Sequence, residues 1–98
     1  MARVLKNVCH VESGGFAFGK ASEHLRTANR AIIVPDLFGV KIKMDNRGVS
    51  PVRKRNQFGG FVIGVSDDAR GTWKIGKYYQ FDVRNGWICI DFRKEVKE

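Results

Sequence analysis

A cluster of basic side chains in the middle of the chain suggests the clearest chemistry. Between residues 41 and 58, six Lys and Arg residues face a single acid, Asp45, in a chain whose net charge is +8. Phosphate backbones bind such clusters by releasing condensed counterions, which requires charge density more than a close fit. The cluster therefore predicts contact with a polyanion, most directly RNA or DNA. Its basic members are Lys41, Lys43, Arg47, Arg53, Lys54 and Arg55.

The residues that follow this cluster could add contacts to bases. Asn56 and Gln57 carry amides that can bond base edges, and Phe58 could stack on an unpaired base. Equally, Phe58 could simply begin a buried strand beside two glycines. We include Gln57 with the six basic residues in the predicted nucleic-acid surface.

Aromatic and basic residues near the C-terminus could extend that surface. Lys74, Lys77 and Tyr78 complete the predicted nucleic-acid-binding set, because an exposed Tyr78 or Trp87 next to lysines would form a stacking platform for a single strand. Large aromatic side chains are usually mostly buried, however. We therefore expect Trp73 and Trp87 to close the ends of the hydrophobic core.

Two other binding interpretations use the same residues. The basic segment could dock on an acidic surface of a partner protein, as a small interaction module or an inhibitor. It could also be a solvated loop with no binding role. The sequence does not separate these hypotheses, and it leaves the oligomeric state open.

Enzymatic chemistry has weaker support. His10 or His24, together with Glu12 and Glu23, could act as general acid or base in a small ribonuclease. The chain contains no nucleophile elbow, phosphate-binding loop or zinc-protease motif. The glycine pairs at 14–15 and 59–60 are typical of turns or bulges rather than of a phosphate cradle. We predict a binding protein without catalytic residues, with the ribonuclease as the less favoured alternative.

Neither a metal nor a cofactor is predicted. The candidate ligands Cys9, His10, His24 and Cys89 lack the short paired spacing of structural zinc sites. Cys9 and His10 would also point to opposite faces of a strand. Two distant cysteines do not make a disulfide framework, and the N-terminal residues lack the long apolar stretch of a secretory signal. We therefore expect a cytoplasmic protein with free thiols and no membrane association.

Alternating apolar and polar residues predict several strands that could position these side chains. The alternation covers residues 40–44, 79–84 and 88–92, and residues 61–65 form a continuous apolar run. Asn85-Gly86 predicts a tight type I′ hairpin between two of these strands. Further turns are expected at 45–48 and 67–71. A first strand is expected near residues 4–11, and residues 45–57 have the composition of a loop.

One short helix is expected near residues 22–30. Ser22 could cap it, and Leu25, Ala28 and Ile32 fall at helical spacing. Pro35 would prevent its continuation.

These elements predict a single domain over residues 1–98 with a mainly β fold and one short helix. Five to seven short antiparallel strands favour a small SH3-like or OB-like barrel, because closure removes exposed sheet edges. A twisted antiparallel sheet with one helix on its face is the alternative architecture.

Overall fold

The strands of this protein close into a barrel. A computed structural model describes residues 7–55, 59–65 and 73–97. Around the barrel the strand order is β1-β2-β6-β5-β3-β4-β8-β7, and β7 pairs with β1 to complete it. Every pairing is antiparallel. The elements are β1 (Val8–Glu12), β2 (Gly15–Phe18), a 3₁₀ helix (Lys20–Leu25), β3 (Arg30–Asp36), β4 (Gly39–Met44), β5 (Ser50–Lys54), β6 (Phe61–Gly64), β7 (Tyr78–Arg84) and β8 (Trp87–Glu95).

The predicted small, mainly β barrel is confirmed, but its size was underestimated. The described residues contain eight strands, whereas the sequence predicted five to seven. The additional strands are β3, whose Ile32 falls at the spacing of the predicted helix, and β5, which lies inside the predicted loop at 45–57. Because the sheet closes on itself, the alternative of an open sheet with a helix on one face is wrong.

Aromatic rings fill the barrel. Phe18 stacks on Phe61 with ring centroids 4.8 Å apart, and it meets Phe81 edge-on at 5.2 Å. All three side chains are fully buried, as is Phe16. Burying one such side chain stabilises a fold by about 1.5–3 kcal/mol, so these rings are a principal source of stability. Along each strand, successive side chains point alternately toward this filled interior and toward the outer surface.

The helix differs from the prediction in position and type. It is a 3₁₀ helix that begins after Gly19 and ends at Leu25, and Ser22 is buried within it rather than capping it. The chain leaves helical geometry at Arg26, whose ψ is 88°. Ile32 therefore belongs to β3. The β-branched residues of this strand favour extended backbone, and they pair with β4.

The predicted tight hairpin is confirmed. Asn85 and Gly86 have φ angles of 52° and 82°, the two positive values that a type I′ turn requires. The turn sets Arg84 directly opposite Trp87 across β7 and β8. The turn at 45–48 is also present, with the Gly48 amide donating to the Asp45 carbonyl. The predicted loop at 67–71 and the beginning of the first strand, at residues 4–6, lie outside the described residues.

Gly60 is required where β6 approaches β2. Its φ is 75°, and a side chain there would overlap the carbonyl oxygen of Phe18. The carboxylate of Glu23 accepts a hydrogen bond of 2.8 Å from the Gly60 amide, which fixes this backbone conformation. Through Glu23, the 3₁₀ helix therefore holds the backbone in place just before β6 begins.

We expect Gly60→Ala to destabilise the protein by more than about 2 kcal/mol, since it adds positive-φ strain to a backbone overlap. The midpoint of urea unfolding measures the change. Gly14→Ala is the control, because a Cβ at Gly14 meets no atom within 4 Å. Equal midpoints for the two variants would contradict this account of Gly60.

Candidate nucleic-acid interface

Trp87 lies on the outside of the barrel. On β8 the side chains of Ile88 and Ile90 are buried, so Trp87 and Cys89 face outward and are half-buried. The expectation that Trp87 closes the core is therefore wrong. The same expectation for Trp73 is confirmed, because that side chain is 5% exposed and packs edge-on against Phe16 at 4.1 Å.

Two lysines of the neighbouring strand lie over the Trp87 indole. Lys41 Nζ is 4.8 Å from the ring centroid and Lys43 Nζ is 5.8 Å from it. Both lysines point outward because Ile42 between them is fully buried. A cation–π contact at such a site is worth about 0.5–1 kcal/mol, enough to hold the chains near the ring but not to fix them there. Neither lysine has an ion-pair partner among the described residues.

Arg84 completes this surface from the other side. It lies opposite Trp87 on β7, and its guanidinium contacts the Asp82 carboxylate at 3.3 Å. Lys41, Lys43, Arg84 and Trp87 together are called the Trp87 face below. It combines a broad aromatic ring with cations on both neighbouring strands, which suits a base and its flanking phosphates.

Arg47 does not join this face, although it follows β4 closely. Its guanidinium donates to both carboxylate oxygens of Asp45, at 3.1 and 2.9 Å, while its side chain remains 86% exposed. These hydrogen bonds lower the pKa of Asp45 from 3.8 to about 2. The acid nearest to Lys43 in the sequence is thus hydrogen-bonded to Arg47, and Lys43 adds only a weaker electrostatic interaction with it.

We expect Arg47→Ala to return the pKa of Asp45 toward its ordinary value of 3.8. Because the folded-state pKa is depressed, the pair's contribution to stability is present above pH 4 or so and disappears as the pH falls through about 2. A carboxyl NMR titration measures the shift. The similar Asp91–Arg93 pair is the internal control, and its pKa should stay low in the variant. An unchanged Asp45 titration would contradict the assignment.

The remaining basic residues of the cluster do not lie on the Trp87 face. Strand β3 separates β4 from β5, where Arg53 and Lys54 are exposed and point to opposite sides. Arg55 turns toward β1 and contacts Glu12 at 3.5 Å. The single basic patch expected from sequence is therefore divided around the barrel. Gln57, with its neighbours Asn56 and Phe58, lies outside the described residues.

The predicted residues near β7 form a separate group. Lys74 and Lys77 are exposed just before the strand, and Lys77 Nζ is 3.8 Å from a carboxylate oxygen of Glu95. Tyr78 is half-buried on the outer face, where its ring stacks on His10 with centroids 4.4 Å apart. This partner was not predicted, because it arises from the β1–β7 pairing that closes the barrel.

A shallow groove of about 440 Å³ lies beside this stack. His10, Glu12, Arg55 and Tyr78 supply its polar lining, and Val8, Ala17 and Gly19 supply the rest. Of the residues considered for a ribonuclease, this groove brings together His10 and Glu12. His24 is exposed on the 3₁₀ helix, and Glu23 is engaged with the Gly60 amide.

The metal-ligand candidates do not converge. Cys9 is buried inside the barrel, while His10 faces outward. Within the described ranges, no group of three or more His, Cys, Asp or Glu side chains is arranged to hold a metal ion. The same part of the chain contains no helix with the length and apolar character needed to cross a membrane.

Comparison with known proteins places no functional assignment on this barrel. No family model matches the chain, and neither a similar curated protein nor a similar solved structure was found. The interpretation of the Trp87 face and the groove therefore depends on their chemistry.

The two thiols should differ sharply in reactivity. Burial raises the pKa of Cys9 to about 12, whereas Cys89 is half-buried on the outer face, opposite Lys41 and Asp82. We expect a thiol reagent to modify one cysteine per native chain, and none quickly in Cys89→Ser, because the thiolate is the reactive form. Both should react in urea. Rapid modification of Cys9 in the native protein would contradict the packing of the barrel interior.

Proposed function

We propose that this protein binds single-stranded nucleic acid, RNA or DNA, through the Trp87 face and carries out no catalysis. The observation that supports the proposal is the pair of lysines, without carboxylate partners in the described structure, over an outward-facing indole. Bound nucleic acid would place one base on the Trp87 ring. The ammonium groups of Lys41 and Lys43 would then move to the phosphates on either side of that base.

The chemistry of the face favours a single strand. A broad ring can stack only on a base whose own face is accessible, and such stacking is worth about 1–3 kcal/mol per base. Lysines on flexible stems contribute charge without a fixed geometry, so sequence preference on this face should be weak. The net charge of +8 would speed the encounter with any polyanion.

The remaining exposed cations would have a supporting role. Arg53, Lys54 and Lys74 have no ion-pair partner among the described residues, yet they lie away from the Trp87 face. They would attract the phosphate backbone at long range and increase the salt dependence of binding. A cytoplasmic location is part of the proposal, since both cysteines are free thiols.

Titration of labelled oligonucleotides tests the proposal. Fluorescence anisotropy with a fluorescein-labelled 12-nucleotide oligo-dT and its oligo-U counterpart, each at two salt concentrations, gives the affinity and its salt slope. We expect Trp87→Ala to weaken binding by roughly 5- to 150-fold, the value of one stacked base. The double variant Lys41→Gln/Lys43→Gln should reduce the salt slope by about 1.4, because each phosphate contact on a single strand contributes about 0.7.

A charge-matched control separates the face from overall charge. Lys20→Gln/Lys97→Gln removes the same two charges from exposed sites at the 3₁₀ helix and the C-terminal end. It should retain most of the affinity. Binding that is undetectable at low salt, or that falls equally in both double variants, would overturn the proposal.

A protein partner is the second candidate function, because the β3–β4 hairpin presents an apolar tip. Leu37 is 83% exposed and Phe38 is 45% exposed, with the Arg93 guanidinium 3.4 Å from the Phe38 ring centroid. This surface would suit a partner that offers both apolar and acidic contacts. A partner retained after nuclease treatment, and lost with Leu37→Asp but not with Trp87→Ala, would favour docking over nucleic-acid binding.

A further inference from the structure

A second open groove joins the Trp87 face to the tip of the β3–β4 hairpin. Its volume is about 360 Å³, and its lining includes Arg84, a member of the Trp87 face, together with Leu37 and Phe38 at the tip. This groove is called the Phe38 channel below. The residues of its lining that matter here are Leu37, Phe38, Gln80, Asp82, Arg84 and Arg93.

The Phe38 ring is held in place at the end of this channel. The Arg93 guanidinium lies 3.4 Å from the ring centroid, and it also donates to the two carboxylate oxygens of Asp91 at 3.1 and 2.9 Å. The Phe92 amide donates to the Phe38 carbonyl at 2.9 Å, so β8 fixes the backbone as well. A ring that is already ordered loses little conformational freedom when a ligand stacks on it.

One side of the Phe38 ring is available to a ligand. The side chain is 45% exposed, and Arg93 covers only one face of the ring. None of the other aromatic rings in the described ranges packs against it. A base on the opposite face would complete a stack of guanidinium, phenyl ring and base, in which every contact is one that aromatic rings favour.

The charges of the channel suit bases better than phosphates. Three basic and three acidic side chains line it, so their formal charges cancel: Arg84, Arg93, Lys94, Asp36, Asp82 and Asp91. A phosphate backbone gains most from unbalanced positive charge. That charge lies on the other side of β8, at Lys41 and Lys43 of β4. Bases would therefore occupy the channel while the backbone follows the two lysines.

The distance between the two exposed rings suits one short strand. Phe38 is hydrogen-bonded to Phe92, and the backbone of Phe92 lies about 16 Å along β8 from that of Trp87, at about 3.3 Å per residue. A DNA strand with stacked bases advances about 3.4 Å per nucleotide. About five stacked nucleotides, or fewer in a more extended strand, would therefore reach from one ring to the other.

We propose that Phe38 is a second stacking site for the nucleic acid, and that one single strand lies along β8 from Trp87 to Phe38. The inference rests on the proposed function, since it adds a second base and a path to the same ligand. The hairpin tip is also the candidate surface for a protein partner. The channel favours the nucleic acid, because it connects the tip to the Trp87 face and a protein bound at the tip alone would not need that connection.

Fluorescence anisotropy with the labelled 12-nucleotide oligo-dT tests the second site. We expect Phe38→Ala to weaken binding by roughly 5- to 150-fold, the value of one stacked base. Phe38→Tyr keeps an aromatic ring and should retain the affinity. Leu37→Ala is the matched control, because Leu37 is 83% exposed beside Phe38 but has no ring to stack, so this variant should also retain the affinity. Circular dichroism identifies any variant that fails to fold.

Strand length provides a test in the unaltered protein. A dT dinucleotide covers about 7 Å and cannot reach both rings, whereas a dT hexanucleotide covers about 20 Å. We expect the hexanucleotide to shift the amide NMR signals of Phe38 and Gly39 as well as those around Trp87. The dinucleotide should shift only the signals around Trp87, because the lysines there add their charge to the stacking.

The outcomes separate the two proposals. Binding of the 12-nucleotide strand that depends on Trp87 but not on Phe38 would overturn the second site and leave the proposed function standing. Equal losses in Phe38→Ala and Leu37→Ala would also overturn it, since the apolar tip and not the ring would then be the contact. A protein partner lost in Phe38→Ala, with oligonucleotide affinity unchanged, would assign the tip to protein docking instead. Absence of binding to every strand at low salt would remove both proposals.

Discussion

The interior of this barrel is occupied by phenyl rings, and that packing determines where chemistry can take place. Phe18 of β2 lies between Phe61 of β6 and Phe81 of β7, so the stacked and edge-on contacts join three strands. A core of closely packed rings leaves little tolerance for a change in register, since a slip of one residue would replace the buried rings by neighbours such as Ala17, Val62 or Asp82. Every polar group with a proposed role therefore lies on the outer surface.

The alternation of inward and outward side chains along each strand determines which residues meet on the outer surface. Burial of Ile42 directs Lys41 and Lys43 outward, and burial of Ile88 and Ile90 does the same for the residues beside them. Antiparallel pairing then sets Trp87 between a strand bearing two lysines and a strand bearing an arginine. The arrangement follows from strand parity and from the type I′ turn, so no loop has to position it.

Much of the β architecture could be predicted from local patterns, because alternation and turn residues act over a few positions. The hairpin at Asn85-Gly86 is an example. Strand β5 could not be recognised, since its residues 50–54 contain Pro51 and three polar side chains and only Val52 is buried. Strand β3 was obscured because apolar residues also fell at helical spacing. In both strands, pairing with distant neighbours decided the outcome.

The candidate site was predictable in composition but not in arrangement. Lys41 and Lys43 could be placed on one strand face from their spacing, whereas their contact with Trp87 depends on the β4–β8 register. The contacts of Arg47 and Arg55 with carboxylates could not be predicted from the sequence either, although Asp45 lies only two positions before Arg47. The local sequence shows which charged residues are present. Strand pairing in the folded protein decides which of them lie next to a carboxylate.

The stack of His10 on Tyr78 has a consequence for the assembly of the molecule. These rings lie on the outer surface where β1 pairs with β7, so their contact adds to the interactions that hold these two strands together. The groove wall that these rings form therefore depends on the pairing of β1 with β7. A chain in which β1 and β7 are not paired would lack that wall. Any molecule that binds the groove would therefore stabilise the closed barrel over forms in which these strands are apart.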